Sequence, residues 1–298
     1  MKTFSSMTKR NIKMFFKDKS MFFVSLITPL ILLVLYATFL AKVYRDSFIS
    51  AMPEGFSVPN SLINATVGGE LISSLLAVSC VTVAFCSNLL MVNDKVNGAR
   101  KDFAVTPVKK STLAFSYYVG SLLTTLIITY TATFAGFGYL AITGWYMSVG
   151  DVFLLILDVF LLTMFGVALS SVVNILLSTN GQASAVGTIV SSVYGFICGA
   201  YMPISNFGKA LQHILSFLPG TYGTSLVRNH TLAGVFAEMQ SQGFPPEVIK
   251  GIKDSIDCNL YFFDHPVSIT AMYLILCLSI LALLGIFILE NFLKRKAK

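Results

Sequence analysis

Three histidines, His213, His230 and His265, and five cysteines are the residues of this chain best suited to metal or nucleophilic chemistry, and their spacing supports neither. The histidines fall in one polar stretch, without the H-E-x-x-H spacing that places two imidazoles on one helix face, and no cysteine pair accompanies them. Cys80, Cys86, Cys198 and Cys277 sit in apolar runs, and only Cys258 in a polar one. There is no G-x-S-x-G elbow to activate a serine and no G-x-x-x-x-G-K-[ST] loop to cradle phosphates. No catalytic residue and no metal ligand is expected, so any work driven by ATP needs a separate ATPase. Two carboxylates in apolar surroundings remain, Glu70 and Asp158. A carboxylate at membrane depth is costly unless protonated, paired or facing water. Asp158 therefore reads either as a pathway residue or as half of a structural pair. Glu70 opens its apolar run and reads as interfacial, with a pathway role as the other option.

The elements that hold these residues are set by composition. The chain has 298 residues, 55% hydrophobic and only 12% charged, which excludes a soluble globular protein. Spans of about 20 mostly apolar residues are expected at 21–41, 70–92, 114–142, 152–177, 183–201 and 268–290, the fifth being the least apolar. The third is long enough to tilt, or to bend near Gly136 and Gly138. In lipid the backbone must satisfy its own hydrogen bonds, so spans of this length are helices.

The net charge of +7 is accounted for by topology. Of the 21 Lys+Arg, six precede the first span (Lys2, Lys9, Arg10, Lys13, Lys17, Lys19). Five more lie between the second and third (Lys95, Arg100, Lys101, Lys109, Lys110), and Lys294, Arg295, Lys296 and Lys298 end the chain. The positive-inside rule then puts both termini in the cytoplasm of a multi-pass cell-membrane protein, and nucleic acid loses its support as a partner. The basic start lacks an A-x-A-like cleavage site and reads as leading into an uncleaved first span. Larger pieces lie outside, at 42–69 with Pro53, Glu54 and Gly55, and at 202–267.

Three segments outside the spans carry pattern. Residues 1–20 interleave Phe4, Met7, Ile12, Phe15 and Phe16 with lysines and Arg10, compatible with an interfacial helix or with a plain basic flank. The inner loop 93–113 admits a short helix from about Asn93 to Phe103, ending before Pro107 and presenting Asp94, Lys95, Arg100, Lys101 and Asp102; a loop that merely obeys topology has the same composition. Between Pro203 and Pro219, Phe207, Leu211, Ile214, Leu215 and Leu218 recur at helical spacing, and a second short helix is expected from Tyr222 to about His230. Two short amphipathic helices fit a re-entrant lid, or an ectodomain packed on itself. Gly195 and Gly199 form a G-x-x-x-G suited to close helix packing, or less readily to substrate contact.

These segments together resemble an ABC-2 type transporter permease, the small membrane subunit of type V ABC exporters, over essentially the whole chain. The family's loop after the second span follows E-R-E-x-G-T-x-E-x-L-x-x-T-P-V. Here Gly98, an apolar Phe103 and Thr106-Pro107-Val108 are kept, while Lys95 and Lys101 stand where the family usually has Glu and Ala99 replaces Thr. Downstream, the family pattern P-I-x-x-(F/L)-P, L-P-x-T-Y and a following Arg is similar to Pro203-Ile204, Phe207, Leu218-Pro219, Thr221-Tyr222 and Arg228, with Gly208 in place of a proline. The resemblance implies an all-α polytopic membrane protein: six transmembrane helices, an N-terminal interfacial helix, a cytoplasmic coupling helix and short re-entrant extracellular helices, forming one domain over 1–298. It implies that Asp94, Lys95, Gly98, Arg100, Lys101, Asp102, Phe103, Thr106 and Pro107 couple to an ATPase. It likewise implies that Pro203, Phe207, Leu211, Leu218, Pro219, Tyr222 and Arg228 form an extracellular gate. The chain holds no cofactor of its own; ATP and Mg belong to a cytoplasmic ABC ATPase present in two copies. The other partners implied are a second permease, identical or homologous, and membrane lipids. The function expected is export of an amphiphilic drug, toxin, peptide or lipid-like natural product. Export of a lipid-linked glycan, or an immunity or sensor role without ATP, are the alternatives.

Overall fold

The computed structural model describes residues 2–50 and 58–296. Pro53, Glu54, Gly55 and Lys298 lie outside the described residues. The chain is built almost wholly of helices, each with a local cause. Helix α1 runs Lys2–Lys17, and Asp18 then caps α2 (Lys19–Leu35) by accepting from the Met21 amide at 3.0 Å. A π turn, Tyr36–Leu40, leads without a break into α3 (Ala41–Ser50), so the first span runs well beyond the expected 21–41. Helix α4 (Asn60–Val96) is 37 residues long and starts ten residues before the apolar run does. Packing extends it: Leu62, Ile63, Ala65 and Val67 are buried with Leu232, Val235 and Phe236.

After α4 the chain turns at Gly98, whose φ of 83° is open to glycine, into the six-residue α5 (Ala99–Ala104). The helix expected over 93–103 is therefore two pieces, the end of α4 and α5. Helix α6 (Lys110–Thr143) is unbroken at Gly136 and Gly138; Gly136 is where Ile72 of α4 packs against it. Ser148 and Asp151 form a reciprocal cap on α7 (Val149–Leu176), and Thr179 caps α8 (Asn180–Ile197). The G-x-x-x-G of α8 is not a helix–helix contact: the Tyr201 ring folds back over Gly195, and Gly199 (φ 77°) lies past the helix end.

A 3-10 turn, Ile204–Asn206, and α9 (Lys209–Leu215) precede α10 (Pro219–Ser241). The second short helix expected at 222–230 is thus 23 residues long, because its polar face is buried against neighbours rather than solvated. Helix α11 (Pro246–Ser255) follows, then an antiparallel hairpin of β1 (Leu260–Phe262) and β2 (His265–Val267), and α12 (Ile269–Lys296). Both loop residues of the hairpin, Phe263 and Asp264, have positive φ, the geometry that matches strand twist.

Five helices among the described residues are long and apolar enough to cross a membrane: Lys19–Asp46, Asn60–Val96, Lys110–Thr143, Val149–Leu176 and Ile269–Asn291. Helix α8 is shorter, and its first turn is polar. Helix α4 is the axis, with α2, α6, α7, α8 and α10 packed around it. Helices α1 and α5 lie at one end, where Phe287 of α12 joins Met91, Leu113 and Tyr118. The segment from 198 to 268 closes the opposite end.

Candidate functional site

At the α1 end, four elements meet on one carboxylate. Asp94, on the last turns of α4, is buried and takes both guanidinium nitrogens of Arg10, with Arg10 Nη2 to Oδ1 at 2.8 Å and Nη1 on Oδ2. The Tyr117 hydroxyl of α6 donates to the same Oδ2 at 2.5 Å. A planar fork is needed for such two-point pairing, which is why Arg10, and none of the lysines around it, turns inward. The hydrogen bonds to Asp94 hold the Arg10 guanidinium more firmly charged than usual. Arg10 also lies over the Phe103 ring at 5.3 Å, bringing α5 into the cluster. Asn11 donates to the Ser116 carbonyl at 3.0 Å, where Gly120 lets α1 sit directly on α6. The face that α1 buries is Thr8, Asn11 and Phe15; of the apolar residues read from the sequence, only Phe15 is buried, while Phe4, Met7 and Ile12 are half-buried and Phe16 is exposed.

The expected coupling residues separate into two groups. Asp94 and Lys95 do not face outward. The Lys95 ammonium donates to the carbonyls of Ile175, at 3.1 Å, and Leu177 at the C-terminal end of α7, where the helix dipole favours a cation. Arg100 and Phe103 are half-buried, and Lys101, Asp102, Thr106 and Pro107 are exposed together with Val105. Gly98 has open space around its Cα, so its role is conformational. The result is a short exposed helix on a rigid root.

At the opposite end the expected gate residues also divide. Arg228 is only 1% exposed and works as a hub. Its Nη1 donates to the Ile256 carbonyl at 2.6 Å, and its Nη2 to Ser74 Oγ at 2.9 Å and to the Gly199 carbonyl at 3.0 Å. Asp257 stands 3.9 Å away and accepts from the amides of Ile204 (2.5 Å) and Ser205 (3.2 Å). Burial pushes the Asp257 carboxyl above the usual carboxylate range, against the pull of the Arg228 guanidinium. The neighbouring Cys258 thiol is pushed up to about 12 by burial, so it is inert. Tyr222 is buried and donates to the Ser216 carbonyl at 2.5 Å, tying α9 to the first turn of α10. Pro203 is buried, while Phe207, Leu218 and Pro219 are half-buried. Leu211 faces outward, with Ile214 and Phe217 beside it. Glu70 is buried one third of the way along α4, and its charge acts on Arg228.

Asp158 is paired. Its Oδ2 lies 2.5 Å from His230 Nδ1, and Tyr273 donates to its Oδ1 at 2.5 Å, so α7, α10 and α12 meet there. Sequence reasoning named Asp158 but not its pairing with His230 and Tyr273, the grip of Arg10 and Tyr117 on Asp94, or Asp257 beside Arg228. The lone arginine among basic-flank lysines was a readable signal; the others lie far from their partners in sequence.

A groove of about 850 Å³ runs between the first span and α8, floored by Cys86 and Leu89 of α4. Ile27, Ile31, Phe39 and Phe196 give it apolar walls, and Ser191 and Ser192 add hydroxyls.

The family model described as ABC-2 type transporter matches residues 2–231, a range that takes in α1, α5 and Arg228 but not its partners Ile256 and Asp257. No curated protein matches the chain.

Proposed function

The chain belongs to the ABC-2 type transporter family, whose members are membrane permeases rather than catalytic domains, and on that premise we propose that it is the permease subunit of an ATP-driven exporter. In this reading α8 is a sixth span, both termini are cytoplasmic, and two such permeases pair around a shared path above two ABC ATPase subunits that bind ATP and Mg. The observation that carries it is the exposed α5. Lys101, Asp102 and Val105 project from a helix whose root is fixed to α1, α4 and α6 by Arg10, Asp94, Tyr117 and Phe103. A push on α5 would pass to α1 and to the end of α4 as one body, while Gly98 sets its angle.

The cargo fits the groove between the first span and α8. Its walls suit an amphiphile, whether drug, toxin, peptide or lipid-like natural product, and the second permease would close its open side. Movement at the far end would be taken up by α9, which presents Leu211 and Ile214 outward, while the Arg228 hub stays intact.

The test is gentle purification of the tagged chain from its native membrane, with mass spectrometry of what accompanies it and an assay of ATP hydrolysis. A P-loop ATPase should co-purify with the wild type. It should be lost on paired charge reversal, Lys101→Glu with Asp102→Lys. A chain that emerges alone, with a phenotype that survives without any ATPase, would overturn the exporter and favour an immunity or sensor protein.

A further inference from the structure

We propose that the groove between the first span and α8 takes an elongated amphiphile that carries no charged group and bears hydroxyl, ester or amide groups along one edge. That this ligand is the cargo rests on the exporter reading; the chemistry of its binding does not.

The groove has two unlike walls. Ile27, Ile31, Leu35, Phe39 and Val43 of the first span form one, and all five are exposed. They recur every four residues. In a straight α-helix a row of that spacing drifts by about 40° per step, so Val43 would end about 160° away from Ile27. The π turn Tyr36–Leu40 prevents this. The Ala41 amide reaches back to the Tyr36 carbonyl and closes a wider ring, which acts as one inserted residue and takes back about 100° of the drift. Within the same turn the Thr38 hydroxyl settles on the Val34 carbonyl at 2.8 Å. The same correction keeps Leu32, Tyr36 and Leu40 on the core side. The apolar wall is therefore continuous from Ile27 to Val43, a length of about 24 Å at the rise of an α-helix.

The other wall is Ser184, Gly187, Thr188, Ser191 and Ser192 of α8, spaced so that one helix face carries them all. Thr188 returns its hydroxyl to the Ser184 carbonyl at 2.9 Å, as Ser79 and Thr82 do to Leu75 and Val78 on α4. Ser184, Ser191 and Ser192 donate to no other described residue, so three hydroxyls face the groove ready for a ligand.

Among the described residues that line the groove, none is Lys, Arg, Asp, Glu or His. Arg45, the residue after the lining Tyr44, is turned onto Asn60 at 2.7 Å and Asn64 at 3.2 Å. The smaller cavity beside α9, by contrast, is lined by Lys209, Asp254 and Asp257. A charged group drawn into the groove gives up its hydration and meets no counter-charge. That excludes a cationic drug and a basic peptide. A phospholipid fills the apolar wall but finds no partner for its phosphate. An uncharged amphiphile meets apolar side chains along one edge and hydroxyls along the other.

The experiment places the full chain in phosphatidylcholine nanodiscs and labels it, without ATP, with three photoreactive probes. All share one diazirine-bearing decyl chain and differ only in a glucoside, sulfate or trimethylammonium head. Labelled peptides are identified by mass spectrometry. Labelling of the groove is divided by that of the exposed row Leu274, Leu278 and Leu281 on the membrane-length α12, which corrects for partition into the bilayer. The glucoside should exceed both charged probes by about tenfold, the scale set by a lone charge at membrane depth. The triple variant Ser184→Ala/Ser191→Ala/Ser192→Ala should lower the glucoside ratio by about tenfold, the scale of a few lost hydrogen bonds. Thr188→Lys sets a cation on the hydroxyl wall and should raise the sulfate probe to the level of the glucoside, a gain that misfolding cannot imitate. Equal ratios for the three probes would overturn the proposal and leave a groove filled by bulk lipid. A ratio highest for either charged probe would overturn it, as would groove labelling that never exceeds that of α12, since the groove would then be filled by a second copy of the chain. Glucoside selectivity in a chain that co-purifies with no ATPase would keep the binding site and sink the exporter.

Discussion

Helix α4 and the first span are both apolar and both long enough to cross a membrane, yet 94% of the most apolar stretch of α4 is buried in the protein and only 24% of that of the first span. Hydropathy does not separate them. Small and hydroxyl-bearing residues do: α4 carries Gly68, Gly69, Ser73, Ser74, Ala77, Ser79, Cys80 and Ala84, whereas α2 is dominated by Leu, Ile, Val and Phe. Small side chains let neighbouring backbones approach, and lipid tails give large ones no reason to turn inward. The hydroxyls of α4 face apolar neighbours at little cost because Ser73, Ser79 and Thr82 bond back to the carbonyls of Glu70, Leu75 and Val78. The axis of this protein is thus its finest-grained helix, and the bulkiest helix lines the open groove.

If the axis depends on close approach and satisfied polar groups, the largest loss should come from the hub that fastens α4 to the far end. Arg228→Gln leaves the buried Asp257 carboxylate without a counter-charge and breaks the link to Ser74. The expected destabilisation is about 3–5 kcal/mol, read as a fall in Tm by fluorescence-detected size exclusion, with much of the protein lost to aggregation. A Tm close to wild type would show that the hub is dispensable.

A smaller loss is expected at the α4–α7 contact. A Cβ at Gly166 would lie 2.6 Å from the Cys80 carbonyl oxygen, which is backbone and cannot swing away. Gly166→Ala should cost about 1–3 kcal/mol by forcing the helices apart. On the groove side, Gly187 of α8 has nothing within 4 Å of a built Cβ, so Gly187→Ala should leave Tm unchanged. Equal effects at the two glycines would break the contrast between axis and periphery. Next comes the root of α5. Asp94→Asn keeps the shape but removes the charge that Arg10 grips, and because Arg10 is about a quarter exposed the cost should be about 1 kcal/mol. The sharper readout is faster tryptic cleavage within α1.

The sequence made the spans legible because lipid imposes a length and a hydropathy that propensity does not disturb. It was less informative about their ends. Residues 60–69 read as loop, since Asn60, Asn64 and Gly68 do not look like a span, and they are helical only because α10 packs on them. The motif residues were legible as types but not as directions. Asp94 and Lys95 share a charged loop with Lys101 and Asp102, yet the first two are held by Arg10 and by the end of α7, contacts spanning 84 and 80 residues. The hairpin at 260–267 gave no signal because Phe263 occupies a position that normally selects Asn or Gly. Asp158 was legible as a costly carboxylate, and its partners were hidden by sequence distance.

The smallest effect belongs to a tie outside the packed body. Lys209 Nζ lies 2.8 Å from Asp264 Oδ1 across α9 and the hairpin tip, with both side chains more than 70% exposed. The Lys209 ammonium holds the Asp264 carboxyl below its ordinary range. A carboxyl with a lowered folded-state pKa lends stability above its unfolded value, and that stability is lost as pH falls through the folded one. Here water and salt screen the pair almost completely, so Lys209→Gln should leave Tm unchanged at neutral pH and also in the acid range where Asp264 protonates. The same substitution at 0.5 M salt should be equally silent, because no appreciable attraction remains to be screened. A fall at neutral pH approaching that of Arg228→Gln, absent in acid, would mean that the hairpin tip is covered in the assembled protein. The periphery would then include a second tightly packed contact, and the contrast with α4 would hold only for the isolated chain.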